Sequence, residues 1–143
     1  MSNLKVQGNA SGTGTHTLQS ANTNSNITQT LPDVSGVTLG FLNVPQSGSD
    51  KTGSYTLATS DIGEFVGVGS GGSITIPNST FAAGDIISIF NNTSGNITIT
   101  CSITTAYIAG TNTDKDTMTL ATRGVATILF ISGTVCVVTG NVS

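Results

Sequence analysis

Ile97-Thr98-Ile99-Thr100-Cys101-Ser102-Ile103 alternates an apolar residue with a hydroxylated one at every step. Successive side chains of a β-strand point to opposite faces, so this spacing predicts a strand that buries Ile97, Ile99, Cys101 and Ile103 and exposes Thr98, Thr100 and Ser102. Further strand-like runs lie on either side of it: Tyr55–Leu57, Phe65–Val68, Ser73–Ile76, Ile86–Phe90, Met118–Leu120, Val125–Ile131 and Val135–Val138. β-Branched residues dominate them, as pleated surfaces favour. No segment carries apolar residues at helical spacing over several turns. The one helical expectation is a short turn within Thr59–Glu64, with Ser60 as its N-cap.

Between the runs lie Gly69-Ser70-Gly71-Gly72, Asn91 to Asn96, and Ser132-Gly133, compositions that join antiparallel neighbours. The last is short enough for a tight hairpin between Val125–Ile131 and Thr134–Thr139. The expected fold is all-β: a compact antiparallel β-sandwich or jelly-roll-like module.

The chain has 143 residues, enough for one domain or a domain with an arm. Hydrophobic residues make up 36% and charged residues only 8%, with a net charge of -3. Disordered chains combine low hydrophobicity with high net charge, and this chain has neither. Few charges also means little repulsion between copies, which favours close assembly through Ser, Thr, Asn and backbone groups. The basic residues Lys5, Lys51, Lys115 and Arg123 are too few and too scattered to neutralise a run of phosphates, so nucleic acid is not an expected partner. The N-terminus has no apolar signal-type core, and the run Ile128–Ile131 is far too short for a membrane helix, so no membrane partner is expected either.

Residues 8–30 are nearly all Gly, Asn, Ser and Thr. Such a stretch does not recover its own ordering entropy, about 1–2 kcal/mol per residue, by self-burial. The organisation read from this contrast is an extended N-terminal docking arm over residues 1–44, a linker over 45–51 and the β-module over 52–143. Leu4, Val6, Leu18, Ile27, Leu31 and Pro32 are the arm's scattered apolar anchors, suited to adding extended strands to a neighbour's sheet edge.

Chemical motifs are sparse. Gly67-Val68-Gly69-Ser70-Gly71-Gly72 has the G-x-G-x-x-G spacing of dinucleotide sites, but a strand ending at Pro77 follows where a helix would be needed, so it reads as a hairpin turn. Asp33, Asp50, Asp61, Glu64, Asp85, Asp114 and Asp116 mostly sit beside Gly, Pro or Ser, where carboxylates cap turns. Asp114-Lys115-Asp116 lacks the ligand series of a calcium loop. His16 is the sole histidine and stands far from any nucleophile elbow. Cys101 and Cys136 lie within strand runs and are expected as buried, reduced thiols. No catalytic residue, cofactor or metal is expected.

The segment Gly8 to Gly14, Asn22 to Asn26 and the closing Thr30-Leu31-Pro32-Asp33-Val34-Ser35-Gly36 resembles one that recurs in tail-fibre and other virion proteins of tailed bacteriophages. From Tyr55 to Ser143 the chain is similar to a β-module of phage structural proteins, carried by Asp61-Ile62-Gly63, Ile76-Pro77-Asn78 and Gly84-Asp85. The resemblance implies a homotrimer without catalytic residues. Members often carry a Trp in the last strand, and here Phe130, Val135 and Val137 are expected to pack in its place. Read as complete from Met1 to Ser143 and without shaft repeats, the chain is expected to be a capsid decoration or cement protein of the virion. Its expected partners are further copies of itself and the phage major capsid protein or another virion protein. A tail-fibre, tail-tip or head-fibre component is the alternative. A carbohydrate-binding module is a third reading, disfavoured by the absence of Trp and an aromatic content of 5%.

Overall fold

The computed structural model describes residues 43–143, and within them the regular elements are nine β-strands and one short 3-10 turn. The strands are β1 (Ser54–Thr56), β2 (Phe65–Val68), β3 (Ser73–Ile76), β4 (Ile86–Asn91), β5 (Ile97–Cys101), β6 (Thr105–Ile108), β7 (Thr117–Leu120), β8 (Val125–Ser132) and β9 (Val135–Gly140). The 3-10 turn, Thr59–Asp61, begins after Ala58, so Ser60 lies within it and does not cap it. The anchors Leu4, Val6, Leu18, Ile27, Leu31 and Pro32, with the rest of the arm up to residue 42, lie outside the described residues.

The fold is all-β, as expected, but its two sheets are mixed and not antiparallel. One has the order β1-β3-β5-β7 and the other β2-β4-β8-β9-β6. From β1 to β5 each strand lies in the sheet opposite its predecessor, and β1, β2 and β3 each pair in parallel with the strand two further on, as in Tyr55↔Ile74↔Ile99 and Phe65↔Ser88. Parallel neighbours cannot be joined by a tight turn. Here the intervening chain is spent crossing to the other sheet, and each crossing delivers one more set of apolar side chains to a single buried cluster.

Gly69–Gly72 and Asn91–Asn96 are therefore crossovers between sheets and not the hairpin turns their composition implies. Gly72 shows the constraint: a Cβ there would stand 2.1 Å from the Lys51 carbonyl oxygen of the preceding segment. The expected hairpin does form, one residue later than its composition placed it: Ser132 ends β8 and Gly133-Thr134 make the turn to β9, with Ile128↔Val138 and Phe130↔Cys136 in register.

Residues 45–51, read as a linker, run beside β2 through the parallel bridges Gln46↔Phe65 and Lys51↔Val68. They are tied down by Asp61, which is fully buried. Its carboxylate accepts hydrogen bonds from the Ser47 hydroxyl, the Tyr55 hydroxyl at 3.1 Å and the Ala58 amide at 2.8 Å. At the other end of the chain, Asn141–Ser143 cross to the free edge of β7 through the Leu120↔Val142 bridge.

The core holds Val66, Ile74, Ile76, Ile87, Ile89, Ile99, Leu120, Ile128 and Phe130, all fully buried. Phe81 stacks on Phe130 with ring centroids 4.1 Å apart. In β9 the buried residues are Cys136 and Val138, while Val135 and Val137 occupy the opposite, half-exposed face. The expectation that these two valines pack with Phe130 is thus corrected. Phe130 pairs with Cys136, and alternation along β9 carries both valines outward.

Candidate functional site: two uncharged sheet faces

Strand alternation leaves each sheet with one buried and one exposed face, and none of the nine strands contains a charged residue. The exposed faces differ sharply in chemistry.

On the four-stranded sheet the outward positions are all Ser or Thr. Register places Thr56, Thr75, Thr100 and Thr117 in one row across β1, β3, β5 and β7, flanked by the pairs Ser54↔Ser73 and Thr98↔Thr119. Neighbouring strands lie about 4.8 Å apart, so the hydroxyls and methyls form a regular neutral grid. At one end the grid opens into a cleft of about 370 Å³ lined by Ser70–Ser73 and Thr93–Thr98. No lining residue titrates, so the cleft offers hydrogen bonds but no acid, base or nucleophile activated by one.

The exposed face of the five-stranded sheet is mixed, its apolar positions parted by a row of hydroxylated residues. Register aligns Ile86, Leu129, Val137 and Tyr107 across β4, β8, β9 and β6. Phe90 pairs with Val125 beyond the Ser88↔Thr127 pair, and Ile131 lies on the other side of the row along β8. Ile86 is 47% exposed, Val125 47%, Leu129 39% and Ile131 49%. A polar row of Ser88, Thr127 and the exposed Thr139 crosses this face, the Ser88 and Thr127 hydroxyls meeting at 3.3 Å, and half-buried Thr105 stands on it opposite Val135. Over β2 the face is covered by the Asp50 and Gln46 side chains: a Cβ on the outward-facing Gly67 would stand 2.1 Å from the Asp50 carboxylate. Asp50 accepts from Gln46 at 2.8 Å and from Asn92 at 2.7 Å, and Arg123 donates to Asn92.

The cysteines are free and buried. Burial pushes the Cys136 thiol up to about 12, with the Cys101 thiol and Asp114 adding to the effect. Cys101 is raised to about 11, again chiefly by burial and then by Asp114 and Asp116. A protonated, enclosed thiol is neither a good nucleophile nor a metal ligand. Burial, then its hydrogen bond to Asp61, likewise raises Tyr55. Several carboxylates cap local backbone, as Asp85 does for the Ala82 amide at 2.8 Å and Asp114 for the Ala106 amide at 2.8 Å. Among the described residues no group of three His, Cys, Asp or Glu side chains could hold a metal ion.

The sequence reading did not identify the apolar positions on the outer face of the five-stranded sheet. Its signal was present in Ile86-Ile87 and Ile128-Leu129-Phe130-Ile131, where apolar residues run on without alternating, so each strand is apolar on both sides. No family model, no curated protein and no solved structure matches the chain.

Proposed function

We propose that the protein is a non-enzymatic structural subunit of a bacteriophage virion, a capsid decoration or cement protein that stabilises the head shell as a homotrimer of β-sandwich modules. The observation that carries the assembly part is the absence of charge from all nine strands. Such faces can be brought against other protein surfaces without burying an unpaired ion, a cost of several kcal/mol. The virion part rests on the resemblance of Thr30–Gly36 and of the module from Tyr55 onward to phage structural proteins. In this reading residues 1–44 form an arm that docks on the major capsid protein or another virion protein.

Copy number tests the role. Gel densitometry of the intact particle should give a stoichiometry on the scale of the shell subunits. A stoichiometry far below that of the shell would instead mark a fibre or tail-tip component, and absence from purified particles would end the virion reading. Deleting residues 1–44 should leave a soluble β-rich domain that no longer enters particles. Full occupancy by the truncated protein would move the contact onto the module.

A further inference from the structure

We infer that the free edge of β1 is a docking site for this chain's own residues 37–41, which lie on it as a further parallel strand of the four-stranded sheet. The inference goes beyond the virion reading and does not rest on it. It assigns residues 37–41 to the module and leaves residues 1–36 for contacts with other proteins.

Among the described residues, β1 is the one sheet edge without a partner. Along β7, Thr119 and Ser143 exchange both backbone hydrogen bonds, at 2.9 and 3.1 Å. Along β2, the Ser47 and Lys51 amides donate to the Phe65 and Gly67 carbonyls, each at 2.8 Å. On β6, the Lys115 amide donates to the Ala106 carbonyl at 2.9 Å and the Asp114 carboxylate accepts from the Ala106 amide at 2.8 Å. On β1, by contrast, all pairing is with β3: Ser73 donates to the Gly53 carbonyl at 3.3 Å, and Leu57 donates to the Thr75 carbonyl at 3.0 Å. Residues 53, 55 and 57 therefore face β3, and the amides and carbonyls of Ser54 and Thr56 point away from it, where no described residue bonds them. Such an open row is a template for another strand.

Three observations select residues 37–41 as the occupant. The first is topology. Residues 46–51, β1, β2, β3, β4 and β5 alternate between the sheets, and each segment up to β3 runs parallel to the one two further on. One step further back, the same progression carries the preceding stretch to the four-stranded sheet, parallel to β1. The second is reach: residues 42–44 remain for the crossing to Pro45, whose carbonyl already bonds Phe65, and Gly69–Gly72 make the crossing from β2 to β3 with one residue more. The third is the sequence Val37-Thr38-Leu39-Gly40-Phe41, which alternates apolar residues with Thr and Gly and carries no charge. A parallel strand bonds through alternate residues. The Ser54 amide then donates to Val37 and its carbonyl accepts from Leu39, while the Thr56 amide donates to Leu39 and its carbonyl accepts from Phe41. Five residues thus satisfy all four free groups. The same register sets Thr38 beside Ser54 on the outer face, extending the Ser54↔Ser73 row, and Leu39 beside Tyr55, which is half-buried at the margin of the core.

Amide hydrogen exchange on the full chain, read by NMR, tests this. The Ser54, Thr56, Leu39 and Phe41 amides should exchange on the order of a hundredfold more slowly than in an unstructured peptide, and the Thr38 and Gly40 amides faster than these. Leu39→Pro removes a donor and should release Ser54 and Thr56 while the Ile89 amide, inside the five-stranded sheet, stays slow. Leu31→Pro, outside the strand, should release none of them. If Leu39→Pro also releases Ile89, Leu39→Asn, which keeps the amide and loses the apolar contact, takes its place and should speed Ser54 and Thr56 by about tenfold. Oxidising the double variant Thr38→Cys with Ser54→Cys should give a bridge within one chain, running at the single-chain mass on a non-reducing gel. Ser54 and Thr56 amides that exchange freely in wild type, protection that Leu39→Pro and Leu39→Asn leave unchanged, or a bridge that joins two chains would each overturn the inference. None of these results alters the copy number in particles, on which the virion reading stands or falls.

Discussion

The side-chain amide of Asn91, in β4 of the five-stranded sheet, donates to the Ala121 carbonyl just beyond β7 of the four-stranded sheet, at 2.8 Å. Asn91 is fully buried, and the same amide donates to the Gly95 carbonyl at 2.8 Å while its oxygen accepts from the Thr93 amide at 3.0 Å. One side chain thus fixes the crossover from β4 to β5 and links the sheets. Asn91→Ala should cost about 1–3 kcal/mol, because it removes the buried amide that bonds the partly buried Ala121 carbonyl and Thr93 amide and leaves a gap where its side chain packed. Urea unfolding measures it, and a midpoint within error of wild type would show that water replaces the amide at no cost.

Ile99 and Thr98 test the register of β5. Ile99 is fully buried and Thr98 exposed. Ile99→Asp places an unpaired carboxylate in the core, against a total stability of roughly 5–15 kcal/mol, and should unfold the domain. Thr98→Asp should shift the melt only slightly. Equal loss in both variants would mean that this strand does not present the faces described.

Gly140 adopts a φ of +119°, and a Cβ there would lie 2.2 Å from the Val125 carbonyl oxygen. Gly140→Ala should therefore destabilise by at least about 2 kcal/mol, through backbone strain and a clash with rigid backbone. Gly95→Ala is the control, since nothing lies within 4 Å of its added Cβ. Thermal melts that rank the two in the opposite order would contradict the path of β9 past β8.

Alkaline titration reads the buried thiols. Cys101 and Cys136 are raised from an ordinary value of 9.0 to about 11 and about 12. Above about pH 9 the unfolded chain loses these protons while the folded chain keeps them, so the unfolded state binds fewer protons and stability falls as pH rises toward 12. Below pH 9 both states are protonated and the thiols contribute no slope. Cys136→Ala should flatten part of the decline in Tm above pH 9. At pH 7.5 native protein should react with a maleimide only at the rate of unfolding, so prompt labelling of either cysteine would place it outside the core.

Strand positions and their buried faces were legible in the sequence because alternation is local: Ile97, Ile99 and Cys101 announce their face within five residues. The β8–β9 hairpin was legible as well, to within one residue, since the two-residue link, Gly133-Thr134, leaves the chain little choice but to return beside itself. β6 was not, being the four-residue Thr105–Ile108 held at a sheet edge by β9, some thirty residues downstream.

What only the tertiary structure decided is which strands are neighbours. Gly69–Gly72 and Asn91–Asn96 have hairpin composition, yet both carry the chain to the other sheet. A turn's residues specify how the backbone bends, not which distant strand awaits it, and that is set by which apolar faces close the common core. The same holds for the two outer surfaces. Whether Leu129 or Phe130 faces the core cannot be read from an unbroken apolar run; the structure settles it by pairing Phe130 with Cys136 in the interior, which leaves Leu129 beside Ile86 on the mixed outer face.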